Sequence, residues 1–185
     1  MVKATNASIV TISLVFLTLI LSIVGVVTPF FINKRKNGYE KLSIYNLKAK
    51  NKDGKINETV DCDSDGDGIK HICTASQVLG GLLLGFNSIL FLLSLFIIFT
   101  GYNVTLRAFC IVLNTLLLFI NILLIISLIV YYKILEETNN PSNRRSDINI
   151  NLGPAIIMLG INAIIIIITT ILLSNLRITK RPPTF

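Results

Sequence analysis

Four long stretches without an ionised side chain decide what this chain can become. No Asp, Glu, Lys or Arg occurs between Lys3 and Lys34, between Lys70 and Arg107, between Arg107 and Lys133, or between Asp147 and Arg177. Each interval exceeds the roughly 20 residues that carry a helix across the hydrocarbon of a bilayer. A helix of a soluble bundle keeps one polar face for water, and these stretches have none. The sequence therefore predicts four transmembrane helices, spanning residues 8–31, 75–100, 105–132 and 154–176 of a single membrane domain, 1–185. The expected fold class is an all-α four-helix membrane bundle with a small antiparallel sheet outside the bilayer.

The first stretch lies near the N-terminus and has to be weighed against a secretory signal peptide. Its apolar part is too long for one, and Val26-Val27-Thr28-Pro29-Phe30-Phe31 offers no small-x-small cleavage pattern. It reads as a retained helix ended near Pro29. The net charge of +7 lies in the loops and tails. No run of bases is dense enough to read as a nucleic-acid patch, so lipid head groups are the expected partner of this charge and nucleic acid is not.

Residues 32–74 form the long polar loop. Leu42 and Ile44, then Leu47 and Ala49, alternate with polar neighbours in two frames, which predicts strand with an irregularity between them. Asn51-Lys52-Asp53-Gly54 is a turn whose Asp-Gly pair tolerates positive φ. Ile56, Glu58, Val60 and Cys62 share one face of a returning strand, and residues 70–74 are expected to add a third. Thr74-Ala75-Ser76-Gln77 has the form of a capping box that would open the second span. So little chain separates the second and third spans, from Gly101 to Val104, that they must be antiparallel neighbours. The third helix is expected to continue past the membrane through residues 133–137. The shorter loop, 133–153, turns at Asn140-Pro141-Ser142, and Gly153-Pro154 opens the fourth span with proline where its missing N–H costs little. The basic tail, 177–185, reads as solvated.

Few residues carry chemistry. Cys62 and Cys73, about ten residues apart across a predicted hairpin, suit a disulfide in an oxidising compartment; the alternative is two reduced thiols in a cytoplasmic loop. Cys110 reads as a small buried hydrophobe. Asp63, Asp65 and Asp67 open like a calcium loop, with Gly66 and Gly68 allowing sharp turns, but Thr74 stands where such a loop carries its bidentate Glu. A solvated turn is the main reading, and a weak Ca2+ site, the sole cofactor considered, is the lesser one. Gly81 and Gly85 form a GxxxG that lets a neighbouring backbone approach, and it is expected to pack within the bundle. Asn87, Asn114, Asn121 and Asn162 are expected to hydrogen-bond across helices. One histidine and no nucleophile–base arrangement give no basis for catalysis, so the chain is not read as an enzyme.

The chain resembles the claudin, peripheral myelin protein and epithelial membrane protein superfamily. The likeness covers all four spans, the long first loop and the shorter second one. Thr28-Pro29-Phe30-Phe31 resembles the family's proline-aromatic exit from the first span, Cys62 and Cys73 fall where the family carries its loop disulfide, and Gly153-Pro154-Ala155 resembles its opening of the fourth helix. The family's Gly-Leu-Trp ahead of the first cysteine has no counterpart; Thr59-Val60-Asp61-Cys62 stands there, and the chain contains no Trp.

Two signals for orientation disagree. Twelve of the seventeen basic residues lie on the side of the two loops, which the positive-inside rule would make cytoplasmic. The cysteine pair and the sequon Asn57-Glu58-Thr59 point the same loop outward. With the resemblance added, the reading is an integral protein of the plasma membrane or secretory pathway, with both termini cytoplasmic and Asn57 glycosylated. The resemblance implies a membrane-organising role through a disulfide-pinned extracellular loop, with lateral association among copies or with other membrane proteins. An ion channel or paracellular-type pore subunit, and an auxiliary subunit of a transporter or channel, are the two other classes kept open.

Overall fold

The computed structural model describes residues 6–35, 38–51, 54–59, 62, 67–100, 104–139 and 149–175. Its helices are α1 (Asn6–Val27), α2 (Asp67–Thr100), α3 (Val104–Asn139) and α4 (Pro154–Asn175). Strands β1 (Phe31–Arg35), β2 (Gly38–Leu42), β3 (Asn46–Asn51) and β4 (Gly54–Thr59) lie between α1 and α2, and β5 (Asn149–Leu152) lies just ahead of α4.

All four helices are long and apolar enough to cross a membrane, with 18-residue windows of mean hydropathy 2.7, 2.1, 2.8 and 2.8 within Ile9–Val27, Ile69–Ile97, Thr105–Leu135 and Pro154–Asn175. α1 and α3 each pack against both α2 and α4, which closes a ring of four helix–helix seams. Val15, Leu83, Leu90, Leu117, Leu124, Leu159 and Ile166 fill the interior, while Phe16, Leu92, Phe119 and Ile157 are exposed on the exterior. Such an exterior suits acyl chains, in which apolar contact alone does not drive helices together. Large apolar side chains line the interior and the exterior alike, so no hydrophobic stripe marks the inner face in the sequence.

The strands form one antiparallel sheet in the order β4-β3-β2-β1-β5. A four-transmembrane-helix bundle carrying a small antiparallel sheet is the claudin-like fold expected from the sequence.

Several local expectations are corrected. α2 begins at Asp67, so residues 70–74 are helical and add no strand. Ile69, Ile72, Cys73 and Ser76 recur at helical spacing, with Cys73 and Ser76 buried, and packing of that face carries the helix outward. Thr74 and Gln77 are therefore inside the helix and form no capping box; Ser76 between them donates its Oγ to the Ile72 carbonyl at 2.9 Å and lies 2.7 Å from Ser127 Oγ on α3. The irregularity between Leu42 and Leu47 is a complete turn, in which the Ser43 N–H donates to the Asn46 carbonyl at 2.9 Å. α1 closes with Thr28 N–H donating to Val24 O at 2.9 Å, and Pro29 turns the chain so that Phe30 N–H donates to Leu42 O at 2.9 Å. Strand β5, from the second loop, pairs with β1 in the register Phe31↔Leu152, which the sequence reading left out.

The β5–α4 junction depends on Gly153. Its N–H donates to Phe30 O at 2.7 Å, and the Ala155 N–H, unpaired within its own helix, donates to Pro29 O at 3.3 Å. Pro154 opens α4, as its position in the sequence predicts.

Candidate functional site

Two regions gather the polar chemistry of the molecule: the joint where the sheet meets the bundle, and a set of amides inside the bundle. At the joint Phe30 and Phe31 are buried, with ring centroids 5.3 Å from Tyr131 and 6.1 Å from Tyr132 of α3. The β2–β3 turn docks on α2, where Tyr45 Oη donates to Gln77 O at 2.6 Å and Gln77 Nε2 donates to Ile44 O at 3.4 Å. Burial raises the Tyr45 phenol above its usual pKa, and a hydrogen bond with the Gly81 backbone works in the opposite direction. Cys62 and Cys73 are joined by a disulfide with Cα atoms 5.6 Å apart, which ties the chain after β4 to the first turns of α2. Substituting Cys62→Ser is expected to cost the folded cap about 3 kcal/mol through the entropy of a loop this size. Thermal unfolding of the purified protein measures it, and an unchanged midpoint would leave the cap held by Phe30, Phe31 and Tyr45 alone.

Inside the bundle every seam has its own hydrogen bond. Asn87 on α2 donates to Ser22 Oγ on α1 at 2.8 Å, and Asn162 on α4 donates to the same oxygen at 2.9 Å. Asn121 on α3 donates to Leu159 O on α4 at 2.9 Å, and Asn114 to Ile166 O and Thr170 Oγ1 at 3.0 and 2.7 Å. The Ser76–Ser127 contact joins α2 to α3. Ser22 Oγ itself donates to Thr18 O at 2.8 Å, so one hydroxyl connects three helices. All four asparagines are completely buried. In hydrocarbon an amide without a partner is costly, so these bonds select one arrangement of helices whose apolar surfaces would otherwise accept many.

Ser22 and Thr18 escaped the sequence reading, although a signal was present. Thr11, Val15, Thr18, Ser22 and Val26 fall on one face of α1, and all are buried. Asn33 on β1 is likewise wholly buried, and neither its Oδ1 nor its Nδ2 has a hydrogen-bond partner among the described residues.

The GxxxG reading changes in detail. Gly81 and Gly85 are on the outer surface of α2. A Cβ on Gly81 would lie 3.5 Å from Tyr45 Oη, and one on Gly85 would meet nothing within 4 Å, so neither admits a neighbouring helix of the bundle. The close helix crossing is elsewhere: a Cβ on Gly25 would lie 2.8 Å from Leu159 Cδ2.

Asn57 lies in β4, an edge strand, opposite Lys48. Asp67 is the first residue of α2, and Asp63 and Asp65 lie outside the described residues. Among the described residues no three His, Cys, Asp or Glu side chains converge as a metal site would require.

No protein-family model matches the chain. No curated protein matches it either. Architecture and site together define a four-span membrane bundle with a disulfide near the sheet that joins its first two spans, consistent with the claudin superfamily fold.

Proposed function

We propose that the protein organises membranes or cell-surface contacts, with the sheet presented outside the cell, both termini in the cytoplasm, and the bundle associating laterally with other copies or other membrane proteins. The observation that carries this reading is the Cys62–Cys73 disulfide, which holds the sheet to α2 as a fixed projection and persists in an oxidising compartment. The outward Gly81 and Gly85 supply a surface on which another transmembrane helix can approach closely.

Two measurements test the proposal. Asn57 is expected to carry glycan, seen as one glycosidase-sensitive band that Asn57→Gln removes; a band indifferent to both treatments counts against the orientation. Suspension cells expressing the tagged protein are expected to aggregate and to concentrate it at their contacts, and Cys62→Ser is expected to disperse both effects. Dispersed cells with evenly distributed protein would defeat the contact role. Ion flux in reconstituted membranes would instead indicate the channel class.

A further inference from the structure

The pairing register gathers charge that the sequence spreads out. Successive positions of a strand alternate between the two faces of a sheet. Phe31, Asn33 and Leu42 are buried, which marks their face as the one turned to the bundle; Lys41 is exposed, which marks the other. One row across that outer face runs through positions Asn151, Ile32, Lys41, Lys48 and Asn57. The next runs through Asn149, Lys34, Tyr39, Lys50 and Lys55. Half of these positions are lysine and none is acidic. Glu40, opposite Asn33, and Glu58, opposite Leu47, both alternate onto the inner face. Lys41 stands directly opposite Lys48, and Lys50 opposite Lys55, an arrangement that destabilises a sheet through like-charge repulsion. A cationic face kept at such a cost fits an anionic partner.

The position of the face indicates which one. β1 leaves the end of α1 at Phe31, so the β1 positions of the two rows, Ile32 and Lys34, lie roughly 3 and 10 Å along the strand from that residue at about 3.3 Å per position. The head-group layer is roughly 5–8 Å deep, and the Debye length in physiological salt is about 8 Å. A groove lined by Val27, Pro29, Lys41, Ser43 and Asn46 brings the last residue of α1 beside Lys41 of the first row. Val27 is 59% exposed there, and Lys41 Nζ lies 5.1 Å from the Tyr39 ring centroid. Within that lining Val27 supplies an apolar wall and Lys41 an ammonium, which complement the chain and the head group of a lipid. Lysine is a compact charge that responds to field strength and does not require the paired geometry arginine recognises.

We propose that this lysine face and the groove beside Lys41 bind anionic lipid head groups of the leaflet from which the sheet rises. The site works on either side of the membrane, so its failure would leave the preceding proposal untouched.

The full chain, in an Asn57→Gln background to remove any sugar from the face, is reconstituted in phosphatidylcholine bilayers containing a minority of phosphatidylserine. Lipid retained by the extracted protein is then compared with the bulk ratio by native mass spectrometry. Phosphatidylserine is expected to be enriched several-fold at low salt, with the enrichment lost at high salt. It is also expected to fall stepwise to the bulk ratio as Lys34, Lys41, Lys48, Lys50 and Lys55 are replaced by glutamine, since each ammonium contributes a share of the attraction. Replacing the same five by arginine is expected to keep it. If the fivefold glutamine variant does not fold, the doubles Lys41→Gln with Lys48→Gln and Lys50→Gln with Lys55→Gln each remove one repulsive pair and are expected to show partial losses. Retention at the bulk ratio, or enrichment unmoved by the glutamine variants, overturns the proposal. Heparin fragments are added to the same extracted protein in a parallel sample; their retention without lipid enrichment would also overturn the proposal and make the partner a sulfated polysaccharide.

Discussion

Substituting Gly153→Ala is expected to prevent the protein from folding. A Cβ at this position would overlap the Pro29 carbonyl oxygen and lie 2.6 Å from the Pro29 carbonyl carbon and 2.8 Å from that of Phe30. These are backbone atoms and have no rotamer in which to escape. They are also fixed on both sides, by the end of α1 and by the hydrogen bonds of β1 to β2 and β5. Ordinary overpacking of a core costs about 1–3 kcal/mol because side chains shift. Here two backbones would have to separate, and with them the Gly153–Phe30 and Ala155–Pro29 hydrogen bonds, so the cost belongs in the rare class above about 4 kcal/mol. Yield of monodisperse protein and its thermal midpoint measure the effect. Gly25→Ala, whose Cβ would press on Leu159 Cδ2 and Cγ at 2.8 and 2.9 Å but meet backbone only at an ordinary 3.7 Å, is expected to fall between Gly153→Ala and the unobstructed Gly85→Ala. A Gly153→Ala protein melting within about 2 °C of its parent, a change below roughly 1 kcal/mol, would refute the close approach.

Substituting Ser22→Ala is expected to cost about 2–4 kcal/mol although it removes a single oxygen. That oxygen accepts from Asn87 and Asn162, and both amides are completely buried. Its loss strands an N–H on each in a medium without water. An unsatisfied buried donor costs about 1–3 kcal/mol, and interhelical polar bonds in membranes measure about 0.6–2 kcal/mol each, which places the sum near the lower half of that range. Replacing both asparagines as well, in Ser22→Ala with Asn87→Leu and Asn162→Leu, is expected to recover part of the loss because no buried donor then lacks a partner. Unfolding in mixed detergent micelles compares the three proteins. If Ser22→Ala unfolds with the wild type, the hydroxyl does not join the helices.

These effects mark the border between what could be read and what could not. The asparagines were legible as cross-helix donors, because an amide in an uncharged run has few other uses. Their shared acceptor was only half legible: Thr11, Thr18 and Ser22 recur on one face of α1, but nothing local tells which of these hydroxyls the amides reach. Gly81 and Gly85 formed the recognisable motif, yet the glycines held against neighbouring atoms are Gly25 and Gly153. A motif states which residues permit close approach, and only the docked elements show where approach occurs. The lysines looked dispersed because they are two or more residues apart along the chain. Antiparallel pairing superimposes those intervals and turns separation in sequence into adjacency on a face.

By itself the sequence determined the number of spans, the place of the long loop, the hairpin at Asn51 to Gly54 and the cysteines available for a bond. These follow from the cost of charge in hydrocarbon and from the backbone preferences of Pro, Gly and Asp, both of which act locally. The tertiary structure alone decided that residues 70–74 join a helix, that β5 crosses from the second loop to β1, and that three helices meet at one serine. Those outcomes rest on contacts between segments distant in the chain, where packing and hydrogen bonding outweigh local propensity.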